Sequence, residues 1–162
     1  MTPTGIKLKI VRERLDYAEE QIRELRSLPA EDLEVFLSDR RNPLAADALL
    51  RRSIEALFDT ARHVLAKGFG IGKLEYREIA KESKNRGLLA NEETAEAFWK
   101  IAGYRNRLIH HYEEVTPEEL HGIVRSHLGD LEAVAEELRA SARRLASGGG
   151  AASAGEASPS EC

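Results

Sequence analysis

Residues 42–72 read NPLAADALLRRSIEALFDTARHVLAKGFGIG. Apolar residues recur along this stretch at the three- and four-residue spacing that gathers them on one face of an α-helix. Asn42 is a preferred N-cap and Pro43 suits the first helical position, so we expect the helix to begin there. The glycines of KGFGIGK end it near Lys67; no strand precedes them and no GK[ST] follows, which argues against a phosphate-binding loop. The apolar stripe consists of Leu44, Ala48, Leu49, Ile54, Leu57, Phe58, Ala61, Val64 and Leu65.

The same helical spacing recurs on both sides of this stretch. Alternation typical of strands is missing from the sequence, and so is any internal repeat. The sequence Thr116-Pro117-Glu118-Glu119 predicts a helix start with a threonine cap and a capping box. We therefore expect an all-α, up-down bundle of four main helices plus one or two short helices. The further helices predicted are residues 5–27, a short one after Pro29, 75–86, one capped by Asn91 that carries residues 98–112, and one from Pro117 to about Leu145.

The composition indicates one globular domain, residues 1–146. Of the 162 residues 42% are hydrophobic and 32% charged, which is enough to build a buried core. Residues 147–162, SGGGAASAGEASPSEC, contain no large apolar side chain, and we expect a disordered tail. No apolar run approaches the roughly eighteen residues of a membrane span, and the charged N-terminus lacks the core of a signal peptide. Because the single cysteine, Cys162, cannot form an intrachain disulfide, we expect a cytoplasmic protein.

The net charge of −4 is unevenly distributed. Residues 40–112 carry 14 Lys and Arg against 9 Asp and Glu, a net of +5, whereas residues 1–39 and 113–162 carry −3 and −6. A local basic surface suits phosphate groups. The basic pairs Arg40-Arg41 and Arg51-Arg52 either line an RNA-binding groove or are solvated charges on helix faces, and charge alone leaves both interpretations open.

Residues 104–115, YRNRLIHHYEEV, carry the candidate site. At about 100° per residue, Arg105 and Tyr112 fall inside the core-facing stripe of the predicted helix. Asn106 and His110, four residues apart, lie together along its flank. An arginine is rarely buried without a partner, and such conflicts between pattern and residue type tend to mark functional sites. Alternatively, Arg105 extends its charge to solvent, Tyr112 packs its ring and His110 has no special role.

The run Arg105-Asn106-Arg107-Leu108-Ile109-His110-His111-Tyr112 resembles the Arg-x4-His-x-Tyr signature of the HEPN superfamily, in its HepT-like toxin branch. The similarity extends over roughly residues 40–140. It includes ALLRRSIEALFDTARHVLAKGFG, GLLANEETAEAFWKIAGYRNRL and the YEEV that leads into the last long helix. His111 is a departure, because relatives often have aspartate there, and its imidazole makes the site more positive.

The resemblance implies a metal-independent endoribonuclease that forms a homodimer in which two motifs face one cleft. Transfer RNA is the substrate that it implies. It also implies a partner, a minimal nucleotidyltransferase antitoxin, which silences the toxin by transferring AMP to the motif tyrosine, here Tyr112.

The motif residues suit RNA cleavage through the 2′-hydroxyl of the substrate. Histidine is a natural proton carrier near neutral pH, so His110 would be the general acid or base. The guanidinium of Arg105 would bind the phosphate, and Asn106 would orient His110 or the phosphate. A second proton-transfer group would come from His111 or from a second copy of the chain. His63, His121 and His127 have no metal-ligand partners at a useful spacing, so we predict no metal and no cofactor.

Two other functions remain open. The same fold could be a non-catalytic subunit of a two-component nucleotidyltransferase, with Arg105 and His110 binding a nucleotide phosphate. A purely structural helical adaptor is the least favoured, because it gives no reason for Arg105 to lie in the apolar stripe. RNA cleavage that depends on Arg105 and His110 separates the first alternative from the ribonuclease.

Overall fold

The computed structural model of the chain describes residues 5–148, and this range contains helices and no strand. The all-α prediction is confirmed. The elements are α1 (Leu8–Arg26), α2 (Leu33–Leu37), α3 (Arg41–Phe69), α4 (Tyr76–Asn85), α5 (Glu92–His110), a 3₁₀ turn (Tyr112–Glu114), α6 (Pro117–Ser126) and α7 (Leu128–Ala146).

Helices α1, α3, α5 and α7 form the bundle predicted from the apolar spacing. Helix α3 packs on α1 and α7, and α5 packs on α3, α4 and α7. Phe58 of α3 and Phe98 of α5 stack with their ring centroids 4.1 Å apart, and both are fully buried. Burying such large apolar side chains stabilises the fold by about 1.5–3 kcal/mol each. This core therefore fixes the position of α5, the helix that carries the candidate site.

Several helix ends follow the sequence signals, and the start of α3 does not. The side chain of Asn91 accepts the backbone N–H of Thr94 at 3.1 Å, as an N-cap should. Gly70 ends α3 with φ of 71°, a left-handed conformation that glycine adopts without strain. Asn42, in contrast, is not the N-cap of α3, which begins at Arg41. The Asp39 carboxylate accepts the backbone N–H of Arg41 at 3.0 Å and starts the helix earlier.

The prediction of one helix from Pro117 to about Leu145 is wrong, because this segment is divided at His127 into α6 and α7. Helix α6 packs on α2 and α3. In the segment before α2, His121 contacts the carbonyl oxygen of Ala30 at 2.8 Å and Arg125 donates to that of Glu31 at 2.6 Å. Helix α7 packs on α1, α3 and α5. A single straight helix cannot follow both directions, so the chain breaks between them and the bundle has three short helices.

The capping box at residue 116 is half formed. Thr116 accepts the backbone N–H of Glu119 at 3.1 Å, as predicted. The carboxylate of Glu119, however, pairs with Arg107 of α5 rather than with the backbone of the cap.

The predicted tail, residues 147–162, lies outside the described residues apart from Ser147 and Gly148. No helix within residues 5–148 has the length and apolar character needed to cross a membrane.

Candidate active site

Arg105 lies where α5 meets α3 and α4, and its side chain is 18% exposed. Its Nε donates to Oε2 of Glu55 on α3 at 2.9 Å. The guanidinium carbon also lies 3.8 Å from the ring centre of Tyr76 on α4. The hydroxyl of Tyr76 donates to the other oxygen of Glu55 at 2.8 Å. The charge that the sequence placed in the apolar stripe is therefore paired with a carboxylate and stacked on an aromatic ring.

This arrangement holds the guanidinium in one plane. Burial, together with the hydrogen bond to Glu55, raises the pKa of Tyr76 above its ordinary value of 10.0, so its hydroxyl remains a donor at neutral pH. Within residues 5–148, only the Nε of Arg105 is used in hydrogen bonding, and both terminal nitrogens remain available. A guanidinium with free terminal N–H groups can bind two oxygens of one phosphate. The terminal nitrogens of Arg105 are thus held in a fixed orientation.

His110 is the last residue of α5 and is exposed, while Asn106, one turn earlier, is half-buried. The spacing of four residues places these two side chains on one side of the helix. Arg105 and His110 are five residues apart, which corresponds to about 7.5 Å along the axis and 140° around it. Arg105 therefore faces the groove between α3 and α4, whereas His110 faces solvent at the helix end. Arg105 and His110 therefore do not lie on one edge of α5 within a single chain.

Tyr112 does not extend α5, which corrects its predicted position on the core-facing stripe. The helix ends at His110, exposed His111 is its C-cap, and Tyr112 begins the 3₁₀ turn with 60% of its surface exposed. The turn is held by Arg107, which pairs with Glu119 at the start of α6 and donates to the carbonyl oxygen of Glu114. These contacts fold the chain back before another helical turn can form.

The Tyr112 hollow is a cavity of about 320 Å³ between the 3₁₀ turn, α3 and α6. Its charged lining comes from α3 and the residue before it, namely Arg40, Asp47 and Arg51. The Nε of Arg51 donates to Asp47 at 3.2 Å. Arg105 is not part of this lining, so the charged groups beside Tyr112 are those of α3. The apolar lining is Leu37, Pro43, Leu44, Val115, Pro117 and Leu120.

Sequence reasoning missed the partners of Arg105. The position of Arg105 in the stripe called for an acidic partner, but the sequence offers 28 candidates, and Glu55 lies 50 positions away. Sequence reasoning also missed Arg77 and Trp99, which form a cation–π pair beside α5. An isolated glycine inside a helix, here Gly103, is a signal that another group lies close to the backbone.

The three histidines outside the motif have structural contacts or surface positions, and no cluster of metal ligands is found in the described range.

A comparison with known protein families identifies the family of this chain. The model of the HepT-like ribonuclease family matches residues 18–138, which is most of the chain and includes the whole motif. This chain belongs to the HepT-like ribonuclease family. No curated protein matches it.

Solved structures share the fold at low sequence identity. A chain of a toxin–antitoxin crystal structure with AMP-PNP is 19% identical, with a TM-score of 0.69 over 80% of this chain and 97% of its own. A chain of the complex between tri-AMPylated Shewanella oneidensis HEPN toxin and MNT antitoxin is 21% identical, with a TM-score of 0.71 over 81% and 97%. The cytosolic protein YutE of Bacillus subtilis, of unknown function, is 19% identical, with a TM-score of 0.72 over 88% and 96%. These similarities show the fold.

Proposed function

We propose that this chain is a metal-independent endoribonuclease toxin, in which Arg105 binds the scissile phosphate and His110 transfers a proton. The observation that supports this function is the state of Arg105, which is held by Glu55 and Tyr76 while its terminal nitrogens stay free. The family to which the chain belongs favours an RNA phosphate as the bound anion.

The proposed reaction needs no group outside the RNA and the protein. The 2′-hydroxyl of a ribose attacks the adjacent phosphorus, loses its proton to a base, and the 5′-oxygen leaves with a proton from an acid. His110 supplies one of these transfers, and Asn106 on the same side of α5 orients it or the phosphate. The second transfer falls to His111 or to His110 of a second copy, because His110 supplies only one of the two. One chain also separates Arg105 from His110 around the helix. We therefore propose a homodimer whose two motifs share one cleft.

Cleavage assays with purified protein and excess EDTA test this function. The substrates are total transfer RNA and synthetic single-stranded RNA, with mapping of the new RNA ends. His110→Ala should lower the rate by about 10²–10⁴-fold, the usual contribution of a proton-transfer group. Arg105→Ala should lower it by about 10²–10³-fold, because a group that stabilises charge on the phosphate is lost. His127→Ala is the matched control, because His127 is an exposed histidine away from the motif. Equal rates in the wild type and a folded His110→Ala protein would remove this histidine from the mechanism.

We also propose that a minimal nucleotidyltransferase antitoxin silences the toxin by modifying Tyr112. The phenolic oxygen attacks the α-phosphorus of ATP, pyrophosphate leaves, and the hydroxyl proton is released. The exposure of Tyr112 makes its oxygen reachable, and the new phosphate would lie beside Arg40 and Arg51. The adenosine would occupy the apolar part of the Tyr112 hollow. The AMPylated Shewanella oneidensis toxin, which shares this fold, supports the proposal.

The Tyr112 hollow also favours a second candidate function. A site with two arginines and an apolar wall can hold a nucleotide without cleaving anything, as expected of a binding subunit in a two-component nucleotidyltransferase. This subunit would bind ATP reversibly and would leave RNA intact. Calorimetric titration with ATP, run beside the cleavage assay, separates the two functions.

A further inference from the structure

A cation–π pair lies on the surface of α5, outside the contacts of Arg105 and the Tyr112 hollow. The guanidinium carbon of Arg77 on α4 lies 4.5 Å from the ring centre of Trp99 on α5. Both residues are exposed, and 40% of the surface of Trp99 faces solvent. Trp99 is the single tryptophan of the chain. An exposed aromatic ring beside a cation stabilises the fold only slightly.

Gly103 allows Arg77 to reach this position. A Cβ atom at Gly103 would lie 2.1 Å from the Nη2 atom of Arg77, closer than any two such atoms can approach. The guanidinium therefore lies directly against the backbone of α5, one turn beyond Trp99. Any larger residue at position 103 would push Arg77 away from the helix.

The Arg77–Trp99 pair lies on the face of α5 that carries Asn106 and His110. Trp99, Gly103, Asn106 and His110 are spaced by four, three and four residues, which places them along one face of α5. Gly103, where Arg77 lies, is seven residues before His110, or about 10.5 Å along the axis. A cation and an exposed aromatic ring thus lie on the same face of α5 as His110, the proposed proton-transfer residue.

A hollow of about 270 Å³ lies at the far end of this face, between α4 and α5. Its lining includes Trp99, the exposed Lys81 and Lys84 of α4, and the exposed Glu92 and Glu96 of α5. Lys81 and Lys84 stand four and seven residues after Arg77, so the three cations form one row on α4. Lys84 pairs with Glu92 at 3.5 Å, whereas Arg77 and Lys81 are in no ion pair within residues 5–148.

We propose that this surface binds single-stranded RNA next to the cleavage site. One nucleobase stacks on the indole of Trp99, and Arg77 and Lys81 bind backbone phosphates. An exposed ring with a row of cations is the pattern by which proteins hold single strands, because every base has a flat face. The flanking side chains are charged, whereas a protein interface of useful size has an apolar centre. This inference rests on the proposed ribonuclease function and names where the substrate extends beyond the scissile phosphate.

Trp99 fluorescence tests the proposal directly, since no other tryptophan contributes. Full-length His110→Ala protein is titrated with a synthetic single-stranded RNA of about twelve nucleotides at several salt concentrations. We expect quenching of the emission, with an affinity that falls as salt increases because phosphate contacts release counterions. Emission that does not respond to RNA at any salt concentration would overturn the proposal. Emission that changes with protein concentration instead would also overturn it and would indicate an interface between copies of the chain.

Variants report the contribution of each group. With dye-labelled RNA and anisotropy as the readout, Trp99→Ala should raise Kd by about tenfold, as loss of one stacked base does, and Trp99→Phe should restore part of it. Arg77→Ala should weaken binding and make it less dependent on salt. Val35→Ala on α2 is the control, because Val35 is an exposed apolar residue outside this surface and should leave Kd unchanged. An unchanged Kd in both Trp99→Ala and Arg77→Ala would overturn the proposal.

The outcome is distinguishable from that of the proposed function. If the wild type cleaves no RNA but RNA quenches Trp99, the ribonuclease function fails and the binding surface stands. If the wild type cleaves RNA and Trp99→Ala changes neither Kd nor KM, the surface fails and the ribonuclease function stands.

Discussion

The Nε atom of Arg105 on α5 donates a 2.9 Å hydrogen bond to Glu55 on α3, and the opposite oxygen of Glu55 accepts the hydroxyl of Tyr76 on α4. Three helices thus meet at one carboxylate. The side chains of Arg105 and Glu55 are 18% and 34% exposed, so the pair is only partly screened by water. Because Arg105 keeps its terminal nitrogens free, the same contact joins the packing of the bundle to the proposed phosphate site.

The first prediction concerns Glu55. Glu55→Ala should lower the free energy of unfolding by about 1–3 kcal/mol, because Arg105 and Tyr76 both lose an acceptor of charged hydrogen bonds. It should also lower kcat for RNA cleavage, since the guanidinium is no longer held in one plane. Glu55→Gln retains a carbonyl oxygen for Nε and should recover part of both quantities. Urea unfolding and initial cleavage rates measure the two effects. A loss of stability with unchanged kcat would show that Glu55 supports the fold alone.

The second prediction concerns Tyr104, whose buried hydroxyl has no hydrogen-bond partner among the described residues. Burial raises the pKa of Tyr104 far above its ordinary value of 10.0, so the group stays neutral. A buried polar group without a partner costs about 1–3 kcal/mol. Tyr104→Phe should therefore leave the melting temperature unchanged or raise it. Phe98→Leu, a change to a fully buried ring of the same helix, is the comparison and should lower it. A marked loss of stability in Tyr104→Phe would show that the hydroxyl has a partner after all.

The third prediction is a pH dependence that arises from His63. Its Nε2 accepts the backbone N–H of Lys7 at 3.1 Å, which requires a neutral ring at that nitrogen. Burial is the main reason that the pKa of His63 lies below its ordinary value of 6.5, and Arg14, Lys67 and Lys7 lower it further. Because the folded-state pKa is the lower one, this stabilisation is complete above about pH 6.5 and is lost as the pH falls through the folded-state pKa.

Urea unfolding between pH 7.5 and 5 measures this effect. His63→Gln retains an acceptor for the Lys7 N–H but cannot become protonated, so the decline in stability with falling pH should become shallower. His127→Gln, at an exposed histidine, should leave the slope as it is in the wild type. The same slope in His63→Gln and the wild type would rule out His63 as the titrating group.

The sequence predicted the all-α fold and most helix ends, because apolar spacing and capping residues are local signals. It misplaced Tyr112 for a reason that is not local: α5 ends where Arg107 reaches Glu119, a residue twelve positions later. It likewise identified Arg105 as an unusual residue without finding Glu55. Periodicity shows which face of a helix is covered, but it does not show which distant side chain covers it.

The fourth prediction is that the active form is a homodimer with a composite site. Arg105→Ala and His110→Ala chains are each expected to be inactive, and co-expression of the two should restore part of the cleavage. Each mixed dimer would keep one intact Arg105 and one intact His110 within the shared cleft. Light scattering gives the oligomeric state, and two differently tagged copies of the same variant are the control. Mixed dimers that form but remain inactive would contradict a shared site, although dimerisation itself would stand.

The last prediction concerns Tyr112 and the arginines beside it. Co-expression with a minimal nucleotidyltransferase should add one or more AMP units to the peptide that contains Tyr112, and the added mass should disappear in Tyr112→Phe. Since Arg40 and Arg51 line the Tyr112 hollow, they should pair with the new phosphate and hold the adenosine across the approach to His110. Arg51→Ala should then still be modified, as intact-mass spectrometry would show, but should keep more cleavage activity after modification than the wild type. Arg52→Ala is the matched control, because Arg52 is exposed on the same helix and does not line the hollow. If the antitoxin neutralises the wild type without any added mass, it acts by binding alone, and the proposal that Tyr112 is modified is wrong.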